Sequence, residues 1–84
     1  MTTKNYMAPN HLLVLKEVVR QCDPTPTTIA NELGIWRTTV LYHLRVLEDK
    51  FHVRFAEEGA KRIDTYAIID AGVFDLSHSF FTEN

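Results

Sequence analysis

With 84 residues, 45% of them hydrophobic and 24% charged, the chain has the composition of one small globular domain and lies outside the disordered and fibrous classes. No apolar run approaches the roughly 20 residues that cross a bilayer, the start MTTKNYMAPN lacks the apolar segment of a signal peptide, and the single cysteine, Cys22, excludes an internal disulfide. A cytoplasmic location is expected, with no membrane partner, and His11, His43, His52 and His78 lie too far apart in sequence to form a local metal motif.

The formal net charge of −2 is unfavourable for a nucleic-acid partner, but the sum hides an uneven distribution. Residues 1–63 hold all nine Lys and Arg against seven acids, a net of +2, whereas residues 64–84 hold four acids and no base, a net of −4. Binding depends on the face presented, so the whole-chain value decides little.

Asn10 is placed to cap a first helix, in which Leu12, Leu13, Leu15, Lys16, Val18 and Val19 follow a broad stripe to about Cys22. The segment DPTPTT ends it, because a residue preceding proline disfavours helical geometry. Thr25 and Pro26 then read as N-cap and first-turn proline of a short second helix, with Ile29, Ala30 and Leu33 on one side and Gly34 as its left-handed stop. A third helix is expected from Trp36 to Asp49: Val40, Leu44 and Leu47 form the apolar stripe, His43 and Trp36 flank it, and Thr38, Tyr42, Arg45 and Asp49 lie opposite.

From Phe51 the period changes to two, with Phe51, Val53 and Phe55 on one face and His52 and Arg54 on the other. After EEGAKR, with Gly59 at the bend, Ile63, Thr65, Ala67 and Ile69 alternate in the same manner with Arg62, Asp64, Tyr66 and Ile68, which predicts an antiparallel hairpin. The remainder, DAGVFDLSHSFFTEN, favours a short terminal helix capped by Asp70.

Two helices joined by a glycine-containing turn of three or four residues form a helix-turn-helix, whose second helix can enter a DNA major groove. Ala30 is small where the third helix crosses, Gly34 makes the turn, Ile35 plugs the core and Val40 packs back. With a hairpin directly behind, IANELGIWRTTVLYHLRVLEDKFHVRF and GAKRIDTYAI resemble the winged helix-turn-helix domain of small ArsR-like and MarR-like transcriptional regulators. YHLRVLED is similar to their recognition helix ending in His-Leu-x-x-Leu, here His43, Leu44 and Leu47. The resemblance covers about residues 10–69. Three departures stand beside it. The Cys-x-Cys pair and the acidic and histidine ligands of metal sensors are missing, Trp36 replaces a small polar residue, and the flanking dimerisation helices are short. No metal or other cofactor is therefore carried over.

The resemblance implies an α+β winged helix-turn-helix fold and assigns Arg37, Thr38, Leu41, Tyr42 and Arg45 to the groove-facing side, against the alternative of an ordinary solvated helix face. Trp36 belongs to the same surface, and its ring is expected to pack over the gap between the turn and its neighbours with the indole N–H near solvent. Lys61 and Arg62 at the hairpin tip can reach phosphates or a minor groove, opposed by Glu57 and Glu58, and Thr27 and Thr28 can join helix N-terminal amides in holding a phosphate. His43 reads as a partly buried structural histidine and Cys22 as an inert helix-end residue. Val73, Phe74, Leu76, Phe80 and Phe81 either close the core or form a homodimer seam with Leu12, Leu15 and Val19.

The expected function is sequence-specific binding of double-stranded DNA by a small transcriptional regulator of prokaryotic, viral or plasmid type. The rival from another class is a winged-helix module that docks a protein, favoured by the negative charge. An enzyme is not expected, since no nucleophile–base pair, phosphate loop or sizeable cleft is indicated.

Overall fold

The computed structural model describes residues 9–56 and 66–82. Within them the order is α1 (Asn10–Arg20), α2 (Pro26–Leu33), α3 (Arg37–Phe51), β1 (Arg54–Phe55), β2 (Ile68–Asp70) and α4 (Ser79–Thr82). Three helices followed by a small antiparallel pair give α+β character in an arrangement compatible with a winged-helix layout.

Helix α1 begins without the side-chain cap expected from Asn10. Pro9 is the cap residue, with φ −58° and ψ 150°, and its carbonyl accepts from Leu12 N and Leu13 N at 2.9 and 3.2 Å. Proline fixes the entry angle, so Asn10 becomes the first helical residue and remains exposed. The helix ends at Arg20, two residues before Cys22. There the extended Gln21 leaves the helical path, and its side chain donates to Glu17 Oε1 at 3.0 Å and accepts from the Thr28 hydroxyl at 2.6 Å.

Helix α2 starts as its sequence predicts. Thr25 Oγ1 accepts from Thr28 N at 3.0 Å and Thr28 Oγ1 accepts from Thr25 N at 2.9 Å, a reciprocal cap with threonine in the place usually taken by Glu or Gln. Gly34 ends the helix at φ 68°, and its N–H and that of Ile35 both turn back to Ala30 O. A Cβ at Gly34 would meet nothing within 4 Å, so glycine is required there by backbone conformation alone.

Helix α3 runs two residues beyond Asp49 and takes in Phe51, which the alternating pattern assigns to a strand. Phe51 extends the stripe of Val40, Leu44 and Leu47 by one more helical step. Its ring stacks on His11 at 4.9 Å and lies 5.3 Å from Phe74, contacts that a strand position would forfeit. His52 then closes the helix in the left-handed region, φ 60°, and the extended chain starts at Val53.

Strands β1 and β2 pair Arg54 with Asp70 and Phe55 with Ile68, with an irregularity between Arg54 and Phe55. This register puts Ile68 on the inward side with Phe55. Ala67 and Ile69, the alternating set, are exposed, while Tyr66 packs edge-on to Phe55 at 5.8 Å. From residue 66 to 69 both alternating pairs, Tyr66 with Ile68 and Ala67 with Ile69, are largely apolar, so pairing rather than hydrophobicity selects the face. Tyr66 N also donates to Pro24 O at 2.9 Å, tying the approach to β2 to the α1–α2 connection. The expected bend at Gly59, the strand positions Ile63 and Thr65, and the tip residues Lys61 and Arg62 with Glu57 and Glu58 lie outside the described residues.

Asp70 does not cap a helix: it ends β2, and its carboxylate accepts from Gly72 N at 2.9 Å. The terminal helix forms later and is four residues long, Ser79–Thr82. One core joins these elements: Val14, Leu15 and Val18 from α1, Ile29 and Ala30 from α2, Val40, Leu44 and Leu47 from α3, Val53 just before β1, Phe55 from β1, and Phe81 from α4. Phe74, Leu76 and Phe80 pack against it half-buried. Among the described residues no helix is long and apolar enough to cross a membrane.

Candidate nucleic-acid interface

The buried stripe of α3 fixes which of its side chains remain outside. With Val40, Leu44 and Leu47 buried, the opposite side presents Thr38, Tyr42, Arg45 and Asp49 to solvent, and Arg37 is exposed in the first turn. Tyr42 is 62% exposed and lies edge-on to His43, with ring centroids 5.3 Å apart. Leu41 is set apart from this group. It is half-buried against the core and, with Leu44, Arg45, Glu48 and Tyr66, lines a small recess of about 150 Å³ between α3 and the approach to β2. The outward face is thus basic and aromatic toward the N-terminal end of α3, and its acids, Glu48 and Asp49, lie in the C-terminal third.

Trp36 is 79% exposed and does not cover the turn. Ile35 takes the inward site instead, half-buried against the core, and in the extended backbone at Trp36 (φ −75°, ψ 147°) the next side chain points the other way. Trp36 is also the N-cap residue of α3 and supplies no side-chain cap; its carbonyl accepts from Thr39 N and Val40 N at 3.0 and 3.1 Å.

At the start of α2, Thr27 is exposed, but the Thr28 hydroxyl is already engaged with Thr25 and Gln21. Thr27 and Thr28 are therefore not equivalent: the second is a structural cap. Arg37, Thr38, Tyr42 and Arg45 lie on α3 and Trp36 is its N-cap, so the fold brings five of the ten candidate residues together, exposed, on this helix and its entry.

His43 lies half-buried on the α1 side of α3, its ring centroid 6.4 Å from that of His11. Its Nδ1 is buried with no hydrogen-bond partner among the described residues. Burial, and secondarily the charge of His11, holds its pKa below the ordinary histidine value. Cys22 is exposed just beyond α1.

Glu17 escaped sequence reasoning. It is buried in α1, where Arg20 Nη2 approaches its Oε1 at 2.8 Å. Burial pushes its carboxyl pKa up, but hydrogen bonds from Arg20 and Gln21 and the charges of Arg20 and Lys16 together outweigh this and leave it lowered. Arg20 also reaches Glu32 at 3.5 Å, linking α1 to α2. An acid three residues before an arginine was the available signal, but it does not distinguish a buried anchor from a solvated pair.

A second recess, about 320 Å³ and mainly apolar, opens between α1 and the segment after β2, walled by Leu12, Val73, Phe74 and Phe80. The polar groups at its margin serve local turns: the Ser77 hydroxyl and backbone N–H hold Asp75's carboxyl below the usual range, and His78 Nδ1 accepts from Phe80 N at 3.0 Å. Among the described residues no three His, Cys, Asp or Glu side chains gather where they could hold a metal ion.

Comparison with known proteins gives no match to a family model, to a curated protein or to a solved structure.

Proposed function

We propose that the chain is a winged helix-turn-helix domain that binds double-stranded DNA, with α3 as the helix that enters the major groove and the β1–β2 region beside the backbone. The observation that carries this reading is the outward face of α3, where Trp36, Arg37, Thr38, Tyr42 and Arg45 are exposed while Val40, Leu44 and Leu47 hold the helix to the core. Arginine can read guanine bidentately, and threonine and tyrosine can contact base edges or phosphates. The α2 helix and its Gly34 turn supply the support such a helix needs. In this reading the protein regulates transcription by occupying its site.

A homodimer would double the few base contacts that one such domain provides. Leu12 and Val73, the latter 63% exposed, are available for a seam, whereas Leu15 is fully buried in the chain's own core and is not. The protein-docking alternative draws on the net charge of −2 and the exposed Trp36 and Tyr42.

Gel-shift selection from random duplex pools tests the reading. Wild type should retain a subset of duplexes with an affinity that falls steeply as salt rises. An Arg37→Ala, Arg45→Ala double variant should bind at least about tenfold more weakly. Equal binding by the variant overturns the groove assignment, and no binding by either at low salt favours the protein partner.

A further inference from the structure

Trp36 is the most exposed large hydrophobic side chain among the described residues, 79% open to solvent. Its backbone is nevertheless held firmly, between the left-handed Gly34 on one side and two hydrogen bonds from the first turn of α3 to its carbonyl on the other. The indole is thus a large apolar plate displayed on a fixed frame, an arrangement that marks a contact surface.

Its surroundings select the occupant. Arg37 and Arg45 are the charged side chains of α3 between its start and Val46, and the helix's acids, Glu48 and Asp49, come later. A polyanion matches that half of the helix. Inside an intact major groove a side chain meets base edges rather than faces, and thymine is the base whose edge carries an apolar group, the C5-methyl, next to an acceptor, O4. An indole offers the complement of both: an apolar ring and one N–H donor.

We propose that Trp36 is a specificity residue of the DNA-facing surface, laying its indole against the C5-methyl edge of a thymine in the major groove. This rests on the DNA-binding reading above and adds the base class that the surface selects. It also accounts for a tryptophan at the entry to α3, where a small polar cap would serve the helix better.

Trp36 is the chain's one tryptophan, so its emission reports this site alone. The duplex selected by wild type is remade with each thymine replaced in turn by uracil, which removes the methyl and keeps O4. Labelled-duplex anisotropy measures affinity, while Trp36 emission and its quenching by acrylamide measure contact. One replacement should weaken wild type about fivefold and leave Trp36→Ala indifferent, and Trp36→Ala should bind the parent duplex about tenfold more weakly. Bound duplex should also shield Trp36 from acrylamide. Circular dichroism confirms that the variant, altered at an exposed site, remains folded.

If duplex binds but no uracil replacement matters and the emission is unmoved, the thymine inference fails and the DNA-binding reading stands. Unpaired strands that bind more tightly than duplex and quench the indole overturn it in favour of stacking on base faces. If no duplex is retained at low salt, both readings fall together.

Discussion

Glu17 and His43 illustrate two ways of taking a polar side chain out of water. Glu17 keeps its charge because Arg20, at the end of α1, and Gln21, just beyond it, donate to it. Among the described residues His43 has no such donor or acceptor at Nδ1, and burial together with the neighbouring His11 favours its neutral form. A histidine whose pKa is depressed by folding binds its proton more readily in the unfolded chain. Stability is therefore fully present above the unfolded value of about 6.5 and is lost as pH falls through the lower folded value. Thermal melts between neutral pH and pH of about 5 should show wild type losing more stability than His43→Leu, which cannot take up that proton. Parallel losses in the two proteins would exclude His43 as the source. The other histidines are common to both, so the difference isolates this side chain.

At the scale of elements, two glycines with nearly the same backbone angle do different work. Gly34 (φ 68°) ends α2 in open space, whereas Gly72 (φ 63°) lies directly against the end of α3, where a Cβ would collide with the Phe51 carbonyl oxygen and the His52 carbonyl group. Gly34→Ala should cost about 1 kcal/mol, the strain of a left-handed non-glycine residue. Gly72→Ala carries that strain and must also push two backbone segments apart, at a total of about 3 kcal/mol or more. Urea denaturation of the two variants compares them, and equal losses would show that the close approach at Gly72 is not maintained. Sequence reading identified Gly34 because a helical pattern stops there. No local pattern marks Gly72 in this way, since the partner that crowds it lies some twenty positions earlier in the chain.

For the whole molecule, the segment after β2 is the closing piece of the core. Val73 N donates to Phe51 O at 3.1 Å, Phe74 contacts both Phe51 and Phe81, and Lys16 of α1 sits over the Phe80 ring at 5.0 Å. Phe81 is buried and Phe80 half-buried, although they are adjacent on one short helix. Phe81→Ala should destabilise by about 3 kcal/mol and Phe80→Ala by distinctly less, read by the same denaturation. If the Phe81 loss falls below about 1 kcal/mol, the segment does not close the core. Sequence composition left these phenylalanines open between core closure and a dimer seam. Their burial within one chain assigns Phe81 to the core and leaves Leu12 and Val73 at the margin of the remaining apolar recess.

The order of helices, the stop at Gly34, the threonine–proline start of α2 and the buried stripe of α3 were all legible from the sequence, because each depends on residues within one or two turns of each other. Tertiary contact decided the rest: Phe51 joins α3 because His11 and Phe74 meet it there, and Ile68 rather than Ile69 turns inward because its strand pairs with Phe55. Trp36 points outward because Ile35 takes the space beneath the turn. Local propensity and periodicity travel with the chain, whereas which of two apolar neighbours is buried depends on what another segment has already filled.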